Sequence, residues 1–193
     1  MPPKTPADPS VTETNESEGV RKLRLLYRIS QAVGSDLGLN DVLDVIVTTT
    51  MDLMLCKIVS ILLNDEESGT LNVAIVRSAT GTPPDLASVP VDKTVSGKAV
   101  KTGVPQLLTD LSVMAPGIRE FARQQGVKSM LSVPMMIGGR AIGVINGYSP
   151  KSTGFNKNDM KLFSLVASQA AIAVENARMR VLKAVFRQIK TRP

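Results

Sequence analysis

Thr94-Val95-Ser96-Gly97 opens a predicted short helix, and the first backbone amides of any helix lack partners within it. Together with the helix dipole, such amides suit a carboxylate, nitrate or phosphate. Arg119 and Arg123, on a second predicted short helix, supply positive charge, while Asp110, Ser129 and Ser132 supply hydrogen-bonding groups. The chemistry of such a set is reversible binding of a small anionic molecule. A plainer alternative stays open, in which Thr94 and Ser96 only cap their helix and both arginines project into water. Met114, Met130, Met135 and Met136 fit either a soft, adaptable pocket wall or ordinary core.

Reactive chemistry is poorly provided for. The chain has no histidine and a single cysteine, Cys56. That removes the commonest general base, the usual haem ligand, most zinc sites and the phospho-accepting histidine of a sensor kinase. A metal or covalent-catalytic site would rest on carboxylates or serines alone, and no such constellation stands out. No nucleophile–base pair can be assembled, so the expectation is a chain that is not an enzyme, with no catalytic residue and no metal ligand.

The elements that must position these groups are organised around Ser129–Ser149. Leu131, Val133, Met135 and Ile137 alternate along one predicted strand, Gly138-Gly139 supplies a tight turn, and Arg140–Tyr148 returns. On the returning strand Asn146 and Tyr148 fall opposite Gly143 and Gly147, and the glycine side leaves room for a covering helix or a ligand. Upstream, residues 20–33 form an amphipathic helix with Leu23, Leu26, Ile29 and Val33 at coiled-coil spacing. Asn40 is the expected cap of a second helix, whose threonines 48–50 weaken it locally. Lys57–Leu63 and Leu71–Ser78 read as a hairpin, residues 81–90 as a proline-rich loop, 95–101 as a helix, 105–110 as a short strand and 118–125 as a helix. The last helix begins with Asn156 as cap, Asp159 completing a capping box and Phe155 stapling onto Met160. It runs to about Lys190, roughly 50 Å at 1.5 Å per residue. Leu162, Leu165, Val166, Ile172, Ala173 and Ala177 are expected to cover the sheet; Val181, Leu182, Val185, Phe186 and Ile189 extend past it and need another partner.

Composition points to one domain. Of 193 residues, 43% are hydrophobic and 21% charged, with no apolar run near the ~18 residues of a membrane span. The expectation is a soluble, cytoplasmic chain: the first nineteen residues lack an apolar export core, and one cysteine forbids an internal disulfide. Those residues read as a disordered, mildly acidic tail. The net charge of +6 resides in six cations from Arg178 onward, since the other 17 cations match the 17 acids. A basic extension over 181–193 could touch nucleic acid or an anionic membrane, yet no helix-turn-helix is present, aromatic content is 3%, and cations also favour a helix C-terminus.

Three separated stretches agree in order and spacing with a known family: VSGKAVKTGVPQLLTD at 95–110, LSVPMMIGGRAIGVINGYSP at 131–150 and FNKNDMKLFSLVASQAAIAVENA at 155–177. Over about 20–180 the chain resembles a GAF domain. The resemblance implies an α+β sandwich, with a central antiparallel sheet of about five to six strands, N- and C-terminal helices on one face, and short helices lidding a pocket on the other. It implies a role in binding a small effector or chromophore, or in dimerising signal relay. Cyclic-nucleotide-binding members carry Asn-Lys, then Phe, then Asp-Glu; Asn146, Phe155 and Asp159 match, but Gly147 and Met160 replace the Lys and Glu. Haem and covalently attached bilin are disfavoured, and the sulfoxide-reducing members cycle several cysteines where this chain has one.

The resulting expectation is a non-enzymatic sensory module. Its ligand site comprises Thr94, Val95, Ser96, Gly97, Asp110, Arg119, Arg123, Ser129 and Ser132, between the sheet and the short helices. It is expected to form a homodimer through Leu23, Leu26, Ile29, Val33, Val181, Val185 and Ile189, with output to a separate signalling protein such as a kinase or regulator. The alternatives are a purely structural dimerisation element with no ligand, and a regulator whose basic last helix contacts nucleic acid or membrane. The effector, and hence any cofactor, is not named by these residues.

Overall fold

The elements run α1 (Glu18–Gly34), α2 (Leu39–Met54), β1 (Ile58–Asp65), β2 (Thr70–Ser78), β3 (Ser88–Pro90), α3 (Val95–Thr102), β4 (Gln106–Leu108), α4 (Pro116–Gln124), β5 (Ser129–Ile137), β6 (Arg140–Ser149) and α5 (Lys157–Lys190). The structure is a computed structural model and describes residues 18–83, 88–114 and 116–190. The expected N-terminal tail lies outside those residues apart from Glu18 and Gly19, which open α1. All strand pairings are antiparallel, in the order β3-β2-β1-β6-β5-β4. Helices α1, α2 and α5 cover one face, and α3 and α4 lie over the other. The expected α+β sandwich is observed. Among the described residues no helix is long and apolar enough to cross a membrane.

Local chemistry explains most boundaries. Gly138 and Gly139 both take positive φ, +56° and +83°, which closes the β5–β6 hairpin in two residues. Thr94 caps α3 by accepting from the Gly97 amide at 3.0 Å, and Gly103 ends that helix at φ +67°. At α5 the Asn156 side chain accepts from the Asp159 amide at 3.0 Å, and Asp159 accepts from the Asn156 amide at 2.9 Å, a complete capping box. The Phe155 ring packs on Phe163, with centroids 6.2 Å apart.

Two expectations are corrected. Asn40 does not cap α2: the helix already begins at Leu39 after an extended Gly38, with no side-chain cap. The helix runs on through threonines 48–50 to Met54, with the Thr50 hydroxyl donating to the Ile46 carbonyl at 2.6 Å and the buried Thr49 hydroxyl without a partner. Residues 88–90 are not loop but edge strand β3, pairing with β2; a proline is tolerated there because only one side of an edge strand needs donors.

The helical face of the sheet packs Val59, Ile61, Leu131, Val133, Met135 and Ile145 against α2 and α5. The glycine side of β6 also faces α5. A side chain at Gly147 would place its Cβ 2.9 Å from the Phe163 ring and 3.0 Å from the Cys56 sulfur, so a helix, not a ligand, occupies that room. The covering stripe on α5 also differs from expectation. Leu165 and Ile172 are exposed, while the expected Val166 and Ala173 are buried together with Phe163, Ala167, Ala170, Ala171 and Val174, the alanines letting the helix lie close to the sheet.

Cys56 is buried, and desolvation, helped by the Asp159 carboxylate, pushes its thiol up from 9.0 to about 12. A folded-state value above the unfolded one leaves stability intact below pH 9 and removes it as pH climbs toward 12. Urea denaturation should therefore show a loss of about 1 kcal/mol from this thiol between pH 8 and pH 10. In Cys56→Ala that share of the loss should vanish; an equal pH dependence in both proteins would assign it elsewhere.

Candidate functional site: an apolar cavity with a polar floor

Side chains of alternate parity point away from α5, and between them and the lid lies a cavity of about 610 Å³. Its floor is Ile58, Ser60 and Leu62 of β1 with Asn146 and Tyr148 of β6. Val95 and Ser96 at the start of α3 form one rim, and Met114, Ile118 and Phe121 form the lid before and along α4. The lid is tied to the end of β2 by a hydrogen bond from the Thr80 hydroxyl to Gln125.

Strand register brings the floor's polar groups together. Ser60 stands directly across from Asn146, and Asn146 in turn stands across from Ser132 on β5. The Ser96 hydroxyl donates to Asn146 Oδ1 at 3.0 Å, and Asn146 Nδ2 donates to Ser60 Oγ at 3.2 Å. Burial pushes the Tyr148 phenol up to about 12 despite the lowering influence of the neighbouring Ser60 hydroxyl, so it stays neutral. The Ser132 hydroxyl, fully buried in the same row, makes no hydrogen bond. Lys93, exposed at the rim, is the charged residue lining the cavity among those described.

Of the nine residues expected to bind ligand, Thr94, Val95 and Ser96 line this cavity. Gly97 does not; its lack of a side chain serves packing, since a Cβ there would lie 1.8 Å from the Val91 carbonyl oxygen. The structure does not bring Asp110, Arg119, Arg123, Ser129 or Ser132 to its lining either. Asp110 accepts from the Ser112 amide at 2.9 Å, which holds its carboxyl below the usual range, and Arg119 donates to the Ser112 carbonyl at 2.9 Å. Arg123 forms a two-pronged pair with Glu120 at 2.8 and 3.0 Å, and Ser129 donates to the Lys151 carbonyl at 2.8 Å. Ser60 and Tyr148 were not anticipated as floor residues. Their signal was present as polar groups of like parity inside otherwise apolar strands.

The residues expected at a dimer interface divide. Ile29 and Val33 are buried in the chain's own core, with Leu26 packed against it. Leu23 is 69% exposed and Val181 66% exposed. The side chains of Val185 and Ile189 lie outside those described.

The family profile for the GAF domain matches residues 36–175, more than half of the chain. The chain belongs to the GAF domain family. No match was found among curated proteins. Among solved structures, the GAF domain of an Acinetobacter phosphoenolpyruvate-protein phosphotransferase is similar, at 20% identity and TM-score 0.67, over 82% of this chain and 95% of that one. The free methionine-R-sulfoxide reductase of Neisseria meningitidis, solved with its substrate, is similar at 20% identity and TM-score 0.69, over 86% and 94%. A phycoerythrobilin-bound GAF domain from a cyanobacterial phytochrome is similar at 16% identity and TM-score 0.63, over 84% and 98%. At these identities the likeness is one of GAF fold. The family as a whole is one of sensory and regulatory modules, and its fold also occurs in an enzyme.

Proposed function

We propose that this GAF chain is a non-enzymatic sensory module that holds a small molecule in the cavity beneath α3 and α4 and reports it through α5 and α1. The observation that carries this reading is a half-open, largely apolar cavity of about 610 Å³ whose floor holds a connected polar row, the composition expected of a small-molecule site. Coupling needs little machinery. Asn146 and Tyr148 face the cavity while Gly147 between them rests on Phe163 of α5, so a shift of β6 is felt on both sides. Against sulfur chemistry, Cys56 sits beside Gly147, on the sheet face away from the cavity, with its thiol pushed up to about 12. A buried reduced thiol also suits a cytoplasmic setting.

The output surface is helical. Arg180 donates to the Ser35 carbonyl at 2.9 Å and Ser30 to Gln169 at 3.4 Å, so α1 and α5 run side by side in the same direction. On α5 the exposed Leu165, Ile172 and Met179 recur every seven residues, the spacing of a pairing helix, and Leu182 continues that seam. We read this as a homodimer interface, with a kinase or regulator as the separate partner that senses it. Ile172→Asp with Met179→Asp should lower the sedimentation coefficient toward that of a single chain; an unchanged value would place the interface elsewhere.

Native mass spectrometry of gently purified full-length protein, followed by denaturing analysis of what is released, tests the sensory reading. A stoichiometric small molecule, lost in a cavity-filling Val76→Trp variant, supports it. A dimer with nothing bound, and no compound in a ligand screen that binds the unmodified chain more tightly than Val76→Trp, would leave a structural dimerisation module.

A further inference from the structure

Resting on the sensory reading above, the geometry points to the class of ligand: we propose a neutral, largely apolar molecule presenting an amide-like edge, one hydrogen-bond donor beside one acceptor, to Asn146, Ser96 and Ser60.

Charge is the first argument. Among the described lining residues no acid appears, and Lys93 is exposed at the mouth. An ionised group carried to the floor would lose its water with no buried counter-charge to replace it, a far larger penalty than for a neutral amide. The cations an anion would need are committed elsewhere, Arg119 to the Ser112 carbonyl and Arg123 to Glu120. The start of α3 is also capped by its own Thr94, whose hydroxyl oxygen takes the Gly97 amide.

Hydrogen-bond inventory is the second. Asn146 has two amide protons and two carbonyl lone pairs, and its bonds to Ser60 and Ser96 use one of each. The Ser96 oxygen, donating to Asn146, keeps its lone pairs. A donor and acceptors of Asn146 and Ser96 therefore remain at one end of an apolar space. A carboxylate has no proton to give and would face the oxygens of Ser96 and Asn146. A hydrocarbon would leave the spare donor and acceptors unpaired. An amide, lactam or comparable heterocyclic edge satisfies both halves.

The test compares three probes of one shape on the full chain, 2-naphthamide, 2-naphthoate and 2-methylnaphthalene, by saturation-transfer nuclear magnetic resonance with competition titration. The amide should bind about tenfold more tightly than either relative, and Ser96→Ala should weaken the amide about five- to tenfold while leaving the hydrocarbon unchanged. Asn146→Gln, which keeps the amide but displaces it, should do the same, and Val76→Trp should abolish all binding. Naphthoate binding as tightly as the amide would overturn the inference in favour of an anion at the α3 end. Equal binding of the hydrocarbon, untouched by Ser96→Ala, would overturn it by making the polar row purely structural. Failure of all three probes would also overturn it, while a molecule released in native mass spectrometry decides the sensory reading separately.

Discussion

Gly97→Ala is expected to destabilise the protein by about 3 kcal/mol in urea denaturation, at the upper end for overpacking. The added Cβ would sit 1.8 Å from the Val91 carbonyl oxygen, 2.5 Å from its carbon and 2.6 Å from its Cα. These are backbone atoms of the 3₁₀ turn Val91–Lys93, not the far end of a side chain that can swing aside. The turn is itself held, since the Thr94 hydroxyl donates to the Pro90 carbonyl at 3.0 Å. Helix α3 can escape only by lifting, which draws Ser96 away from Asn146 and opens the cavity rim. Gly34→Ala is the control: nothing lies within 4 Å of its added Cβ, so it should be neutral or stabilise by up to about 1 kcal/mol. A loss below about 0.5 kcal/mol at Gly97 would mean that α3 stands farther from the turn than the structure places it.

The second large effect is a coupling. Phe163 is fully buried, and Phe163→Ala should cost about 3–5 kcal/mol through lost burial and the cavity left behind. Gly147→Ala should cost about 1–3 kcal/mol alone, because its Cβ meets the Phe163 ring at 2.9 and 3.0 Å. Combined, the new methyl enters the space that the ring vacates. The double variant should be more stable than the sum of the two losses by at least about 1 kcal/mol. Strict additivity would show that β6 and α5 do not meet through this pair.

What was legible beforehand was whatever short stretches decide for themselves. The Gly138-Gly139 turn, the Thr94 cap with its Gly103 stop, and the Asn156–Asp159 box each need only neighbours three or four residues away. The α5 stripe was partly misplaced because its buried face is largely alanine, which carries little hydrophobic signal, whereas the conspicuous Leu165 and Ile172 face outward. Strand β3 escaped notice because pairing at an edge is decided by β2, not by the prolines around it. The arginines misled for a visible reason: Glu120, three residues before Arg123, was there to claim it. The polar floor depends on two strand registers joining residues 86 apart in sequence, Ser60 and Asn146, and no local pattern specifies that distance.

The sheet's outermost strands carry a consequence for how copies of this chain behave when crowded. Both margins, β3 and β4, are only three residues long, and β3 ends in a proline with no amide hydrogen. A margin so brief offers a few open backbone groups, too few to template a further strand from another molecule. Stacking is thereby discouraged along β3 and β4 themselves, whereas residues 73–78 of β2 and 133–137 of β5 have no strand paired on their outer side among the described residues.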